Sequence, residues 1–328
     1  MLWLMTEFVL LAAVVVAAGV LMTNTADRIA DATGLGKKLV GIVLLAGATS
    51  LPELAVGITS VRMGAADLTA GNLLGATLCN LLVLAGVDLV TRTPGGILSR
   101  QAAAHALSAT GVIILKCVAV IGILINSTVM FGPMGLTSIV LIGVYFALLR
   151  LVYFDELATR QILAENEPQK RPPLGRNAAG FLAAAAVIFL TAPELARVAD
   201  KLSDLTGLGR TFMGTVFVAA VTTLPEVTAA YTAVRLKAVE LAIGNAFGSI
   251  AFNMLILGVL DAFTSGPMMA EISDVHVVTA VCGMIVLCAT VLSLLYRAER
   301  RWPILEPDAL LVALLILGSF GLVYMQSR

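Results

Sequence analysis

Long apolar stretches, separated by short polar segments, follow one another along the whole chain. Each stretch is about 20 residues long, which is the length that an α-helix needs to cross the hydrocarbon core of a bilayer. The alternating polar and apolar positions of a membrane β-barrel do not occur. The pattern predicts ten transmembrane helices, over residues 5–23, 38–60, 67–90, 102–124, 128–150, 177–194, 211–233, 238–262, 275–295 and 308–325.

A polar segment separates the first five predicted helices from the last five. Residues 155–176 are rich in charged side chains and contain the pair Pro172-Pro173, a composition typical of an exposed linker. We therefore expect a first half over residues 1–154, a linker over 155–176 and a second half over 177–328.

The two halves repeat each other at a constant offset of 173 residues. The segment GATSLPE at residues 47–53 returns as AVTTLPE at residues 220–226. Further pairs at this offset, with no gap between them, are Asp27 and Asp200, Arg62 and Arg235, Gly71 and Gly244, Gly75 and Gly248, Asn80 and Asn253, and Asp88 and Asp261. Two hairpins that are merely similar in Gly and Ala content would not share paired Pro-Glu and Asn residues, so an internal repeat is indicated.

The repeat units cover about residues 38–90 and 211–262. Since each half has an odd number of predicted helices, the two copies must insert in opposite orientations, an arrangement typical of transporters. The expected fold is therefore an all-α membrane protein with ten transmembrane helices in two inverted five-helix repeats.

Composition agrees with a multi-pass protein of the cell membrane. Hydrophobic residues make up 59% of the chain and charged residues 13%, against about a quarter charged in soluble domains. The mean hydropathy is +0.98. The formal net charge is zero, so nucleic acid is not an expected partner.

Basic residues predict the orientation. With the amino terminus outside, fifteen Lys and Arg residues fall on the inner side and five on the outer side. Because basic residues concentrate in cytoplasmic loops, we expect both termini outside and the linker in the cytoplasm.

A carboxylate follows a proline at matching points of the two repeats, in Pro52-Glu53 and Pro225-Glu226. Ionisable groups at membrane depth are costly and mark functional sites. Each proline removes a helical hydrogen bond and frees a backbone carbonyl, which a bound ion could satisfy. A threonine four residues before each glutamate lies on the same helix face, and these are Thr49 and Thr222.

The next helix of each repeat adds amides, at Asn80 and Asn253. Calcium takes about six to eight hard oxygens and is well served by carboxylates. With two histidines in the chain and no cysteine cluster, a transition-metal site is disfavoured. Without an ion, two facing glutamates would repel each other and one would tend to take a proton. The alternative for the amides is hydrogen bonding between helices, which applies most to Asn72 and Asn245.

These segments resemble the alpha repeats of the cation/calcium exchanger superfamily, most closely its sodium/calcium exchanger branch. The family pattern is Gly-Thr-Ser-x-Pro-Glu on one helix and Gly-Asn-x-x-Gly-Ser-Asn-x-x-Asn on the next, in two inverted copies. The resemblance implies that Glu53 and Glu226 are the central calcium ligands. It further implies main-chain oxygens from Thr49 and Thr222, flanking sodium sites at Ser50, Thr223 and Ser249 with the carbonyls of Ala46 and Ala219, and closure of the central site by Asn80 and Asn253.

Three departures from the pattern bear on the coupling ion. Ala76 stands where the family has Ser, and Asn253 stands where some sodium-coupled members have Asp. Thr77 and Ile250 replace an Asn. The resemblance implies exchange of calcium for sodium by alternating access, with the first and sixth helices sliding, and the departures leave proton coupling as the alternative.

The expected function is thus a secondary antiporter that exchanges calcium for sodium, with a calcium/proton exchanger of the same fold as the alternative. A channel or a cation sensor is a different class that the inverted halves disfavour. An enzyme is not expected, because no cofactor motif or nucleophile–base arrangement is present, and the only bound species expected are Ca²⁺ and Na⁺ or H⁺. The partners expected are inorganic cations and the lipid bilayer, with a monomer as the simplest assembly.

Two further features of the sequence carry expectations. The four cysteines fall in predicted helices and are expected to be small packing residues. Lys116 lies inside the fourth predicted helix. Its side chain is expected to extend to the membrane interface, with a fixed cation near the transport path as the alternative.

Overall fold

Apolar helices form nearly all of the structure. The computed structural model describes residues 2–91, 105–163, 172–206, 221–295 and 307–326. The helices are α1 (Leu2–Thr33), α2 (Lys37–Thr49), α3 (Leu51–Arg62), α4 (Ala66–Thr91), α5 (Ala106–Ile125), α6 (Leu136–Leu163), α7 (Leu174–Thr206), α8 (Leu224–Arg235), α9 (Val239–Leu260), α10 (Met268–Glu271), α11 (Val275–Leu295) and α12 (Pro307–Gln326). A two-stranded antiparallel hairpin joins α5 to α6, and its strands are β1 (Met130–Phe131) and β2 (Met134–Gly135).

The structure is that of a multi-pass integral membrane protein. Within the described ranges, 7 helices are long and apolar enough to span a bilayer, and α2 with α3 forms one further span that is bent by 44°. The helix α12 has a shorter apolar segment, Leu310–Leu322. Residues 211–220 of the seventh predicted helix lie outside the described part of the chain, so the count of ten and the inversion of the halves stay predictions.

Several helix boundaries differ from the predicted ones. The left-handed backbone of Asn126 ends α5, and the hairpin then turns at Gly132, so α6 begins at Leu136 rather than at residue 128. The helices α6 and α7 also extend into the predicted linker. An apolar stretch is only as long as the bilayer is wide, whereas the hydrogen bonds of a helix continue through the polar residues that lie beyond the bilayer.

The helix α9 lies at the centre of the structure. It packs against α2, α4, α5, α6 and α8, and most of its side chains are buried. The helices α1 and α7, which correspond to the first and sixth predicted spans, pack along each other, and α1 also contacts α8. The first and sixth spans therefore form one pair, which packs against the helices α3 and α8 that carry the Pro-Glu motifs.

Glycines bring α2 and α9 into backbone contact. A Cβ placed on Gly244 would lie 2.7 Å from the carbonyl oxygen of Lys38, and one on Gly41 would lie 2.7 Å from the carbonyl oxygen of Leu241. A Cβ on Gly248 would lie 2.6 Å from the Cα of Ile42. The two helices approach closely here because no side chain separates the two backbones.

The helix α2 is not a uniform α-helix. It contains a π-helical turn over Gly41–Leu45, and it resumes as α-helix over Ala46–Thr49. Such turns insert one extra residue into a helix and are frequent at functional sites.

The helices α3 and α8 end in the same way at the 173-residue offset. In the first, the N–H groups of Gly64 and Ala65 donate to the carbonyls of Val61 and Ser60. In the second, Lys237 and Ala238 make the corresponding bonds, to Val234 and Ala233. This is a Schellman cap, which needs a left-handed residue. Gly64 has φ 72° and Lys237 has φ 60°, so the second cap places a side chain where glycine is favoured.

The side chain of Lys116 does not extend to the membrane interface, so that expectation was wrong. It is fully buried, and its Nζ donates to the carbonyl of Leu74 on α4 at 3.4 Å. The ammonium also lies against Gly283 of α11, where an added Cβ would be 3.2 Å from Nζ. The side chain points across the bundle toward these two helices rather than along α5.

Asp261 lies directly after α9 and is fully buried. Its carboxylate accepts hydrogen bonds from the backbone N–H groups of Gly135 and Met268. It therefore ties the α5–α6 hairpin to the segment that follows α9. The side chain of its repeat partner, Asp88, lies outside the described part.

Candidate cation site

Each Pro-Glu pair lies at the start of a new helix rather than within a long one. The helix α3 begins at Leu51 and α8 begins at Leu224, so Pro52 and Pro225 sit in the first turn, where a missing N–H is tolerated. The residues before the breaks have nearly the same backbone conformation. Ser50 has φ −87° and ψ 7°, and Thr223 has φ −83° and ψ 2°. Each break therefore places a glutamate in the first turn of a helix, where the dipole favours negative charge.

The two carboxylates are buried in the interior of the protein. Glu53 and Glu226 are each 2% exposed, and their charges act on each other. One oxygen of each, Oε2, has no hydrogen-bond partner within the described part of the structure. A buried acceptor without a partner is costly, and a bound cation is one way to satisfy it.

Oxygen atoms of α2 and α9 converge at Thr49. Its hydroxyl lies 3.2 Å from the carbonyl oxygen of Ala46, 3.1 Å from the hydroxyl of Ser249 and 3.3 Å from Oδ1 of Asn245. The carboxylate of Glu226 lies close enough to interact with this hydroxyl. One hydroxyl proton cannot serve all these acceptors at once, so the cluster holds more oxygen lone pairs than protons. Such a cluster is suited to a small cation.

The predicted amides are also buried close to this region. Asn253 is buried on α9, and its Oδ1 has no hydrogen-bond partner among the described residues. Asn80 donates from Nδ2 to the carbonyl of Ala76 in its own helix at 3.1 Å, which leaves its Oδ1 free of that bond. This hydrogen bond of Asn80 is within α4, not between helices.

The other residues that were predicted to contribute to the site are Ser50, Thr222, Thr223 and Ala219. Ser50 is fully buried, and its hydroxyl lacks a partner within the described ranges. Thr222 and Thr223 are buried at the second break. Ala219 lies outside the described residues.

Two residues near the site were not among the predicted ligands, although hydrogen bonding between helices, the alternative given for Asn245, is present in its bond from Thr49. Asn245 shares a helical stripe with Ser249 and Asn253, and that spacing was the signal that could have identified it. The thiol of Cys79 lies where the charges of both Glu53 and Glu226 act on it, so Cys79 borders the site rather than only filling space. Its position next to Asn80 in sequence was the corresponding signal.

The donor set determines which ions suit the site. Carboxylate, hydroxyl, amide and backbone oxygens prefer hard cations such as Ca²⁺ and Na⁺. Among the described residues, no three His, Cys, Asp or Glu side chains come together. Any ligands beyond the two carboxylates must therefore come from neutral groups, and the assigned ligand roles stay predictions.

The comparisons with known proteins agree with one another. The sequence pattern of the family described as sodium/calcium exchanger protein matches residues 3–154 and 176–324. The chain is 26% identical over 292 residues to CaxA of Alkalimonas amylolytica, which is named as a candidate antiporter, covering 84% of this chain and 86% of that one. It is 24% identical over 283 residues to the inner membrane protein YrbG of Escherichia coli, covering 78% and 81%.

The fold is similar to that of a solved transporter. A structure of the sodium-calcium exchanger NCX_Mj, soaked with 100 mM Na⁺ and 10 mM Sr²⁺, matches with a TM-score of 0.71 at 18% identity. The match covers 98% of this chain and 99% of that one.

Proposed function

We propose, since the chain belongs to the sodium/calcium exchanger protein family, that it is a secondary antiporter that exchanges Ca²⁺ for Na⁺ across the cell membrane. The observation that carries this proposal is the pair of buried carboxylates, Glu53 and Glu226, each with an oxygen that lacks a partner in the described structure. Together they offer about four oxygens and a charge of about −2, which matches one Ca²⁺. The Oδ1 atoms of Asn80 and Asn253 complete this central site.

Sodium would bind beside the calcium position. The carbonyl oxygen of Ala46 and the side-chain oxygens of Ser249 and Asn245 each lie within 3.3 Å of the hydroxyl oxygen of Thr49. These are neutral oxygens next to Glu226, a combination suited to a monovalent cation. The second flanking site, which includes Ser50, Thr223 and the carbonyl of Ala219, has Ala76 where the first has Ser249, so we infer that the two sites differ in affinity.

The second candidate function is calcium/proton exchange. Ala76 and Asn253 each take away an oxygen that a sodium-coupled site would use, and this favours a proton as the coupling ion. In that mechanism Glu53 and Glu226 would bind either Ca²⁺ or protons, but not both at once, because a protonated carboxyl is a poor calcium ligand.

Alternating access would follow from the packing of the helices. By the predicted orientation, the glycine contact between α2 and α9 lies on the cytoplasmic side of the carboxylates and closes that approach. The pair α1 and α7 packs beside the site and would slide to open one side while closing the other. Both termini would lie outside, and no resident cofactor is needed for this cycle.

The test is calcium flux in proteoliposomes under separately imposed sodium and proton gradients. Calcium uptake driven by an outward sodium gradient at equal pH supports sodium coupling. Uptake driven by a proton gradient in sodium-free buffer supports the second candidate. Passive calcium flux that runs down its own gradient without a counter-ion would show a channel and refute both.

A further inference from the structure

An apolar groove runs between α2 and α6 on the surface of the protein. Its volume is about 440 Å³, which lies in the range of small-molecule pockets. Leu39 and Val43 of α2 form one wall, and Phe146 and Leu149 of α6 form the other. Polar groups are confined to Arg150 and Tyr153 of α6.

The charge of Arg150 is exposed within an apolar segment. The segment Leu136–Thr159 is long and apolar enough to cross the membrane. Arg150 precedes Asp155 by five residues, so its Cα lies about 7.5 Å closer to the bilayer centre along the helix. Asp155 forms an ion pair with Lys38 at 2.7 Å and marks the polar end of this region.

Arg150 has no ion pair within the described residues. Its guanidinium lies 5.4 Å from the ring centroid of Phe154, one turn further along α6. A cation–π contact does not neutralise the charge. An arginine that faces lipid at this depth is unfavourable unless its long side chain reaches an anion at the interface.

We propose that this groove binds an anionic phospholipid, with one acyl chain between α2 and α6 and the headgroup phosphate on the guanidinium of Arg150. The planar guanidinium can donate two parallel hydrogen bonds to a phosphate. Basic pockets between transmembrane helices on the cytoplasmic side are a known mode of lipid recognition, and the predicted orientation places Arg150 on that side. Tyr153, whose ring is suited to the interface, would lie beside the headgroup.

The position of the groove gives the bound lipid a structural effect. Val43 belongs to the π-helical turn of α2, and the same helix ends at Thr49. An acyl chain along this wall would hold α2 against α9 in the arrangement described above. This inference stands apart from the transported ion, because lipid binding is measured without flux.

The experiment compares lipid binding by native mass spectrometry of the delipidated full-length protein titrated with phosphatidylglycerol or phosphatidylcholine. Wild type should bind one phosphatidylglycerol several-fold more tightly than phosphatidylcholine. Arg150→Gln should lose this preference. Arg235→Gln is the matched control, since Arg235 also stacks on a ring, that of Tyr231 at 5.8 Å, and is predicted to be cytoplasmic, but it does not line the groove.

A second variant, Val43→Phe, fills the groove and should weaken binding of both lipids, which tests the acyl-chain position independently of Arg150. Equal binding of the two lipids by wild type, or an unchanged preference in Arg150→Gln, would overturn the headgroup assignment. Unchanged binding of both lipids by Val43→Phe would overturn the groove assignment. Stronger retention of free fatty acid than of phospholipid would likewise reject the phosphate contact.

Discussion

The hydroxyl of Thr49 lies 3.1 Å from the hydroxyl of Ser249, although 200 residues separate them in sequence. Thr49 is the last residue of α2, directly before the first break, and Ser249 lies on the central helix α9. The contact joins the first repeat to the second at the level of the buried glutamates. Both halves of the chain therefore contribute oxygen atoms to the same buried cluster.

The first prediction concerns the two carboxylates. Glu53→Gln and Glu226→Gln should each lower calcium exchange by at least about tenfold, because loss of a charged ligand is worth on the order of 1.5–3 kcal/mol. The measurement is calcium flux in proteoliposomes, with equal protein checked by size-exclusion chromatography. Glu240→Gln, an exposed carboxylate in the first turn of α9, is the control and should retain flux. Wild-type flux in a folded Glu53→Gln protein would remove that glutamate from the site.

The second prediction concerns the coupling ion. If sodium drives exchange, Ser249→Ala should weaken sodium activation several-fold, because a coordinating hydroxyl contributes on the order of 1 kcal/mol. Ala76→Ser should strengthen it, since it restores a hydroxyl at the matching position of the other repeat. The readout is the sodium concentration for half-maximal calcium exchange. Sodium activation that is strong in wild type and unchanged in both variants would refute the inequality of the two flanking sites.

The third prediction concerns the contact between α2 and α9. Gly248→Ala should destabilise the protein by about 1–3 kcal/mol, because the added methyl meets the backbone of Ile42, which cannot move as a side chain can. Gly143→Ala is the matched control, since Gly143 is exposed on α6 and an added Cβ there meets no described atom within 4 Å. Thermal unfolding in detergent measures both. A Gly248→Ala protein as stable as Gly143→Ala would show that the two backbones are further apart.

The fourth prediction concerns the second Schellman cap. Lys237→Gly should stabilise the protein by up to about 1 kcal/mol, because the left-handed conformation is unfavourable for a residue with a side chain and natural for glycine. Thermal unfolding again provides the measurement. The same change at Lys201, an exposed residue within α7, should instead destabilise by about 1 kcal/mol. Destabilisation of similar size at both positions would contradict a left-handed backbone at Lys237.

The fifth prediction concerns topology. In a variant without its own cysteines, a cysteine placed at Lys170 should resist a membrane-impermeant thiol reagent added outside intact cells, and one placed at Arg328 should react. The reason is the inner excess of basic residues, fifteen against five. Reaction at position 170 but not at 328 would reverse the orientation.

The sequence allowed the Pro-Glu breaks to be predicted, because proline removes a hydrogen bond wherever it occurs in a long helix. It did not predict that each break would start a new helix at Leu51 or Leu224, since this depends on how α3 and α8 pack. Lys116 was misjudged for a related reason. A periodic pattern shows that a side chain lies inside a helix, but only the neighbouring carbonyl of Leu74 and the space at Gly283 determine where it points.

For Asn245 and Cys79 as well, the sequence did not predict which groups the side chain contacts. Asn245 lies on a stripe that was visible in the sequence and Cys79 lies next to Asn80, yet whether such a side chain contacts a neighbouring helix or a site depends on distances of a few tenths of an ångström. The paired glutamates were easier to identify from the sequence, because a carboxylate at membrane depth is unusual whatever surrounds it.

The π-helical turn in α2 determines which side chains reach the site. With one extra residue in the turn Gly41–Leu45, everything after it is rotated by about 100°, the angle of one α-helical residue, relative to an uninterrupted helix. A regular α-helix from Lys37 onward would therefore carry Thr49 away from Ser249 and aim a neighbouring side chain at α9. Deleting a single residue within this turn would change the identity of the groups at the site while leaving every predicted ligand in the chain.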